Sequence, residues 1–349
     1  MKYLTILVLA AGIMLSACGK KEGTQNSTAQ INGAGATFPF PLYSKWFDEY
    51  GKINKDAKFN YQSIGSGGGI KQITEGTVDF GAGATDSPMS AEEQKNAEVK
   101  SNTKIHHIPS ILGAVVLTYN VPGLEKPLNL TGETIADIFM GKITKWNDKA
   151  IAKDNEGAKL PDKDINVVYR TDGSGTTYIF TDYLGNISPE WKEKVGVSKT
   201  VKFSTGQGGK GNEGVTGVVK QLEYSIGYVE LIYALQNKLK YANIKNSEGE
   251  FIAPTLESVT KAGDVTASQL PETLTMSIVN AKGKGAYPIA SYTYLLIYEK
   301  NKDASKGKMI KSFLEWALGD GQKFAKDLGY APLPAEVAKK CLEKVKIFN

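Results

Sequence analysis

Arginine is almost absent from this chain of 349 residues: Arg170 is the single arginine among 42 basic residues. Cysteine and histidine are also scarce, with two of each. Two cysteines cannot build a disulfide framework or a cysteine-rich zinc site. The two histidines, His106 and His107, are adjacent, so the chain has no His-Glu-x-x-His motif. We therefore expect no metal ion and no cofactor.

Long hydrophobic runs are missing too. The apolar run from Leu4 to Ala17 is too short to span a membrane and has the proportions of a signal peptide. Leu15-Ser16-Ala17-Cys18 is similar to a bacterial lipobox, which predicts a lipoprotein signal over residues 1–17 and acylation of Cys18. A plain secretory signal is the alternative. Residues 18–30 lack apolar periodicity and are predicted to be a lipid-anchored flexible tether. The protein is therefore expected to be exported, to the periplasm or cell surface, and to touch the membrane only through the anchor.

Charge of one sign is not concentrated anywhere in the chain. The formal net charge is +5, and the lysines are spread along the sequence. This balance is too mild for a nucleic-acid partner, although a weak positive field would attract an anion. The 41% hydrophobic and 23% charged residues are ordinary for a soluble globular protein, and the length favours two domains.

Strand-like and helix-like patterns alternate from about residue 31 onwards, which is typical of an α/β fold. In the stretch YSKWFDEYG, Trp46, Phe47 and Tyr50 share one helical face. KFNYQSIGS predicts a strand, GIKQITEG a helix, and TTYIFTDYLG a helix ending at Gly185. Further buried strands are predicted at HIPSILGAVVLTYN, VVYRT, IGYVE and AYPIASYTYLLIYEK. Cys341 lies in a helical pattern and is predicted to be a packing residue.

One local pattern recurs at residues 33–41, 65–71 and 172–178: a strand ends, Gly, Ser or Thr follow, and a helix begins. A helix N-terminus offers unpaired N–H groups and partial positive charge, which suit an anion. Helix capping alone explains any single case. Three cases in one chain, one of them beside Arg170, favour an oxyanion site, because the guanidinium fork grips such a group with two hydrogen bonds.

Several anion-handling enzymes are excluded by their motifs. No Gly-Lys pair is followed by Ser or Thr, as a Walker A loop requires. Ser66 and Ser174 lack the Gly-x-Ser-x-Gly elbow of a nucleophile. His106 and His107 are interpreted as surface or packing residues, and nothing in the sequence places them near Ser174. No catalytic residue is therefore assigned, and an enzyme is the less favoured interpretation.

Several blocks of the sequence resemble one known family. They are GAGATFPFPLYSKW, YQSIGSGGGIKQI, VDFGAGATDSPM, LGAVVLTYNVPG, MGKITKWND, DGSGTTYIFTDYL, GGKGNEGV and IGYVE. In this order they are similar to the phosphate-binding proteins of bacterial Pst phosphate ABC transporters. The resemblance implies a two-lobed type II periplasmic solute-binding fold with the ligand in a cleft. Lobe I would comprise residues 31–110 plus 290–349, and lobe II residues 111–289, joined by strands near ILGAVVLTYN and PIASYTYLLIY.

The resemblance also implies a set of phosphate ligands. These would be hydroxyl and backbone donors from three glycine-rich blocks, the arginine fork, and one carboxylate: Thr37, Phe38, Ser66, Asp86, Arg170, Ser174, Gly175 and Thr176. Asp172 would pair with Arg170 from outside the ligand shell. VDFGAGATDSPM has about two more residues than the family pattern, which leaves Asp79 as an alternative to Asp86. Asp86 is favoured over Asp79 because Ser90 and Glu93 then form a capping box at the start of the next helix.

The function implied is high-affinity binding of inorganic phosphate outside the cytoplasm and its delivery to the membrane permease subunits of an ABC importer. A monomer is expected. The alternative is a secreted phosphatase-like phosphoester hydrolase on the same fold, and a third class is a surface adhesin without phosphate affinity.

Overall fold

A computed structural model describes residues 29–348, apart from the side chains of residue 29 and residues 82–85. The predicted signal peptide and Cys18 lie outside the described residues. The strands are β1 Ala29–Gly35, β2 Ala57–Ser63, β3 Gly81–Thr85, β4 Ile105–Asn120, β5 Asn129–Leu130, β6 Asn166–Arg170, β7 Gln207–Gly209, β8 Ser225–Glu230, β9 Lys240–Tyr241, β10 Asn243–Lys245, β11 Phe251–Ile252 and β12 Ala290–Tyr298. The helices are α1 Phe40–Ile53, α2 Ser66–Glu75, α3 Ala91–Ser101, α4 Gly132–Phe139, α5 Lys149–Ala152, α6 Gly175–Ile187, α7 Pro189–Lys194, α8 Gly211–Gln221, α9 Leu231–Gln236, α10 Leu256–Asp264, α11 Ala304–Leu318, α12 Lys323–Asp327 and α13 Ala335–Val345.

The long strand β4 connects the two halves of the molecule. Its first part, Ile105 to Ala114, runs antiparallel to β12, and its second part, Val115 to Asn120, runs antiparallel to β8. The main sheet has the order β3-β12-β4-β8-β6-β7, and the parallel pair β1-β2 joins it through a bridge from Gly33 to Phe80. β4 therefore changes partner between Ala114 and Val115. The lobe boundaries given by the sequence stay a prediction.

Apolar side chains fill the space around this sheet on both sides of the change of partner. On one side Trp46 and Tyr50 of α1 are buried against Phe313 of α11. On the other side Phe180 of α6 stacks on Tyr228 of β8, with ring centroids 4.3 Å apart. Each half thus has its own group of packed aromatic rings, and both groups belong to one continuous apolar core.

The predicted elements are observed with small differences in their ends. Helix α6 runs to Ile187, two residues past the predicted end, because a glycine ends a helix only where the chain turns into the left-handed region, and Gly185 stays helical. Strand β1 begins at Ala29, inside the predicted tether, because a parallel ladder pairs backbone groups and does not require apolar side chains. Cys341 is fully buried in α13, as a packing residue would be. Within residues 29–348, none of the helices combines the length and the apolar character that a membrane span requires.

Candidate anion-binding site

The N-termini of four long helices converge where the two halves meet. Thr37 and Phe38 lie just before α1, Ser66 is the first residue of α2, and Gly175 and Gly211 are the first residues of α6 and α8. The Gly175 N–H donates to Ser66 Oγ at 2.9 Å, which joins α6 to α2. The positive ends of the helix dipoles therefore point into one region, which favours negative charge there.

Arg170 supplies the full positive charge of this region. It ends β6, its backbone N–H donates to Tyr228 Oη at 3.2 Å, and its side chain is 1% exposed. Nε and Nη2 donate to the two carboxylate oxygens of Asp172 at 2.8 and 2.6 Å. Burial alone would raise the pKa of Asp172, but the hydrogen bonds and charge of Arg170 hold it below its ordinary value. The pair is thus fixed and ionised. Nη1 also donates to Thr176 Oγ1 at 3.3 Å, which leaves one N–H on Nη1 and one on Nη2 for a ligand.

Four buried hydroxyl groups lie at these helix N-termini, one of them in contact with Arg170, and each already accepts a hydrogen bond. Ser174 Oγ accepts from the Thr177 N–H at 3.0 Å, and Ser66 Oγ from the Gly175 N–H at 2.9 Å. Thr37 and Thr176 accept from Asn212 Nδ2 at 2.7 and 3.3 Å. None of these four hydroxyls donates a hydrogen bond to a residue that the structure describes. Their protons therefore need acceptors from elsewhere, and an oxyanion provides several.

Asp86 places a carboxyl group beside these donors. The residue is 1% exposed, and Oδ1 accepts from Thr293 Oγ1 of β12 at 2.8 Å. Burial raises its pKa to about 7, although the Thr293 hydrogen bond and the charge of Arg170 oppose the rise. The backbone N of Asp86 would lie only 2.6 Å from a Cβ atom on Gly175. The chain thus brings Asp86 against the start of α6 despite the two additional residues before it.

Phe38 has a packing role through its ring as well as a place in the site. The ring lies against Gly113 of β4, where an added Cβ would come within 2.4 Å of it. The Phe38 carbonyl accepts from Tyr330 Oη at 2.6 Å. The backbone between β1 and α1 is therefore held rigidly next to Thr37.

The two halves are in direct contact around this region. The Gly67 N–H donates to the Gly173 carbonyl at 2.8 Å, and a Cβ added to either glycine would lie 3.2 Å from the α carbon of the other, closer than an ordinary contact. Lys199 Nζ pairs with Glu93 Oε2 at 2.8 Å across the same boundary. The structure therefore represents a closed arrangement.

The structure brings together every site residue named from the sequence, and their roles in binding stay predictions. Asp79, the alternative to Asp86 on the sequence, forms an ion pair with Lys306. His107 is buried and its Nε2 accepts from the Met89 N–H, while His106 contacts Glu299. Burial lowers the pKa of His107 to about 4, so the ring is neutral at neutral pH. The capping box of Ser90 and Glu93 is present as predicted.

Two site residues were missed by the sequence interpretation. Asn212 lies in GGKGNEGV, a fourth glycine-rich passage into a helix, and counting that passage with the other three would have indicated it. Thr293 lies inside the apolar strand β12, where a single polar residue carries no comparable signal.

Comparisons with known proteins agree with this geometry. The family model described as a PBP superfamily domain matches residues 21–320. A protein of Pasteurella multocida named phosphate-binding protein PstS is 45% identical, with 89% of this chain and 88% of the relative covered. The chain belongs to the PstS family. A PstS protein of Methanocaldococcus jannaschii is 38% identical, with 99% of this chain and 95% of the relative covered.

Solved structures show the fold that this PstS-family chain shares. A phosphate-binding protein from Stenotrophomonas maltophilia has a TM-score of 0.72 at 22% identity, covering 90% of this chain and 93% of the other. A periplasmic phosphate-binding protein called PfluDING, solved with bound phosphate, has a TM-score of 0.70 at 23% identity, covering 89% and 92%. The two-lobed type II fold expected from the sequence is thereby confirmed.

Proposed function

We propose that this protein binds inorganic phosphate outside the cytoplasm and delivers it to the membrane permease of an ABC importer. The observation that carries the proposal is the set of four buried hydroxyls at the helix N-termini next to Arg170, whose protons have no acceptor among the described residues. A tetrahedral oxyanion accepts from all four and from the guanidinium at once. The names of the PstS relatives support the same ligand.

Asp86 favours phosphate over other tetrahedral anions. Near neutral pH phosphate carries at least one proton, which it can donate to the Asp86 carboxylate. Sulfate has no proton to give, so its oxygens and the carboxylate would face each other as acceptors. Arsenate, which also carries protons, is expected to bind.

Isothermal titration calorimetry on phosphate-stripped protein tests the proposal. At a pH above the Asp86 pKa of about 7, where this carboxyl group is ionised, we expect saturable 1:1 binding of phosphate and arsenate and no measurable heat from sulfate. A flat phosphate titration would overturn the proposal and favour an adhesin. Sustained release of product from a chromogenic phosphate ester in the presence of divalent metals would instead support the hydrolase alternative.

We further propose that the protein works as a monomer anchored to the membrane by lipid on Cys18. Support comes from the lipobox-like sequence, which lies outside the described residues. Cys18→Ser is expected to move the protein from the membrane to the soluble fraction, whereas Cys341→Ser, at a buried packing position, leaves it in the membrane. An unchanged distribution for Cys18→Ser contradicts the anchor, and a dimeric mass in light scattering contradicts the monomer.

A further inference from the structure

Asn212 is a fully buried amide that touches hydroxyls from both halves of the molecule. It is the second residue of α8, and its Nδ2 donates to Thr37 Oγ1 at 2.7 Å and to Thr176 Oγ1 at 3.3 Å. Thr37 precedes α1 in the first half, and Thr176 lies in the first turn of α6 in the second. One side chain therefore contacts two of the threonines that face the candidate site.

The direction of these two hydrogen bonds is fixed by the other end of the amide. Asn212 Oδ1 accepts from the backbone N–H of Glu230 at 3.0 Å. A backbone N–H can only donate, so the oxygen must face Glu230 and the NH₂ group must face the threonines. The backbone carbonyl of Asn212 accepts from Thr216 Oγ1 at 2.8 Å, one turn further along α8, which fixes this turn of the helix.

The hydroxyl of Thr37 can make one further hydrogen bond, and only as a donor. Its Oγ1 accepts from Nδ2 of Asn212 and also from the Asn212 backbone N–H at 3.2 Å. A hydroxyl has two acceptor sites and one proton. Because both acceptor sites are occupied, the proton must turn away from Asn212.

The hydroxyl of Thr176 is constrained in the same way by a different pair. Its Oγ1 accepts from Arg170 Nη1 and from Asn212 Nδ2, both at 3.3 Å. Its proton is likewise directed away from both donors. Neither threonine hydroxyl donates to another residue in the described part of the chain.

We propose that Asn212 is a positioning residue for phosphate, which sets the Thr37 and Thr176 hydroxyls as obligate donors toward the anion. This inference rests on the proposed function. Hydroxyls oriented before the ligand arrives lose less rotational freedom on binding, so the amide raises affinity without contacting the anion. Asn212 and Thr176 lie in the same half, so the Thr176 hydroxyl is oriented before the cleft closes, whereas the Thr37 hydroxyl is oriented only on closure.

A double-mutant cycle measured by calorimetry tests the proposal. Asn212→Ala is expected to weaken phosphate binding on the order of tenfold, since two oriented donors are released. In a Thr37→Val/Thr176→Val background the same substitution should change affinity by less than about twofold, because there are no hydroxyls left to orient. If that background binds too weakly to measure, the two cycles with single threonine variants replace it, and each should show part of the coupling.

Asn155→Ala is the matched control, because Asn155 is also a buried amide with three hydrogen bonds, two to Asn129 on β5 and one to Ile151 on α5. It should lower thermal stability while leaving phosphate affinity unchanged. Losses for Asn212→Ala that are equal in all backgrounds would overturn the proposal, since they would mean that Asn212 acts on the shape of the cleft. If the wild type binds phosphate and Asn212→Ala binds it with the same affinity, the positioning role of Asn212 is wrong, and the proposed function is unaffected. A wild type without phosphate affinity would overturn both.

Discussion

At the scale of single residues, Arg170 and Asp172 form a pair that a lysine could not reproduce. Two guanidinium nitrogens meet two carboxylate oxygens, which orients the whole plane and directs the other N–H groups into the site. This geometry gives a physical reason for one arginine in a chain that otherwise uses lysine.

Arg170→Lys keeps the positive charge but loses the planar guanidinium group with its paired N–H donors. We expect phosphate affinity to fall by roughly 1–3 kcal/mol, because an ammonium cannot bind Asp172 and the anion with parallel hydrogen bonds. Calorimetry measures the change, and a thermal melt checks that the variant is folded. An unchanged dissociation constant would mean that the arginine is not needed for its shape.

Asp86 makes the stability of the phosphate-free protein depend on pH. Its pKa is about 7 in the folded protein against 3.8 for an ordinary aspartate, so the folded state holds a proton that the unfolded state releases. The stabilisation from the protonated group is complete below pH 4 and is lost as the pH rises to 7, at about 1.4 kcal/mol per pH unit. Asp86→Asn should remove this decline, as measured by chemical denaturation between pH 4 and 8.

The difference between wild type and Asp86→Asn isolates this group. His107, whose pKa is lowered to about 4, contributes a slope of opposite sign between pH 4 and 6.5, and it is present in both proteins. Asp79→Asn is the control for losing a carboxylate elsewhere, since Asp79 pairs with Lys306. Parallel stability curves for wild type and Asp86→Asn would show that Asp86 stays ionised in the folded protein.

Asp86→Asn also tests the selectivity for phosphate over sulfate. An amide at position 86 can donate to an anion, so Asp86→Asn should lose part of the discrimination against sulfate, which an acceptor carboxylate repels. We expect sulfate heats to become measurable while phosphate affinity falls. If both affinities stay where they were, another residue discriminates between the anions.

At the scale of elements, Ser174 at the start of α6 both caps the helix and offers a hydroxyl proton to the site. Ser174 caps the helix by accepting from the Thr177 N–H, and its own proton stays free for a ligand. Ser188 caps α7 in the same way through the Trp191 N–H at 3.1 Å. The two serines therefore cap their helices in the same way, but only Ser174 lies in the glycine-rich turn at residues 172–175.

Replacing each cap with alanine separates capping from binding. Ser174→Ala and Ser188→Ala should each lower the free energy of unfolding by about 1 kcal/mol, since each leaves a helix N-terminus uncapped. Phosphate affinity should fall roughly tenfold for Ser174→Ala alone, because only that variant loses a donor to the anion. Equal affinities for the two variants, measured by calorimetry, would restrict Ser174 to the helix cap.

At the scale of the whole molecule, the site is completed from both halves. Thr37, Ser66 and Asp86 come from one half, and Arg170, Ser174 and Thr176 come from the other. They meet in the closed arrangement that the structure shows. A ligand that uses all these donors stabilises closure, because the open form cannot offer them together.

Small-angle scattering should therefore show compaction when phosphate is added to stripped protein. Sulfate at the same ionic strength is the control and should leave the profile unchanged. Identical profiles with and without phosphate would indicate a protein that does not open.

The sequence by itself indicated the α/β class, the main strands and helices, and three glycine-rich turns before helices, one of them beside Arg170. These features follow from local physics, since apolar periodicity sets the elements and glycines with hydroxyl residues before a helix suit an anion. The individual ligands, among them Phe38, Asp86 and Gly175, were implied only by the family resemblance, and their roles stay predictions. The predicted end of α6 at Gly185 was wrong by two residues, because Gly185 stays helical and the helix stops before Ser188, which is extended as the residue before Pro189.

The tertiary structure decided what depends on distance through space. Only folding brings Asn212 of α8 to Thr37, 175 positions earlier in the chain, and Thr293 to Asp86, 207 positions earlier. The raised pKa of Asp86 likewise comes from burial by segments far apart in sequence. Hydrogen-bond direction and desolvation depend on neighbours that no local pattern specifies, so the free hydroxyl protons became visible only in the assembled site.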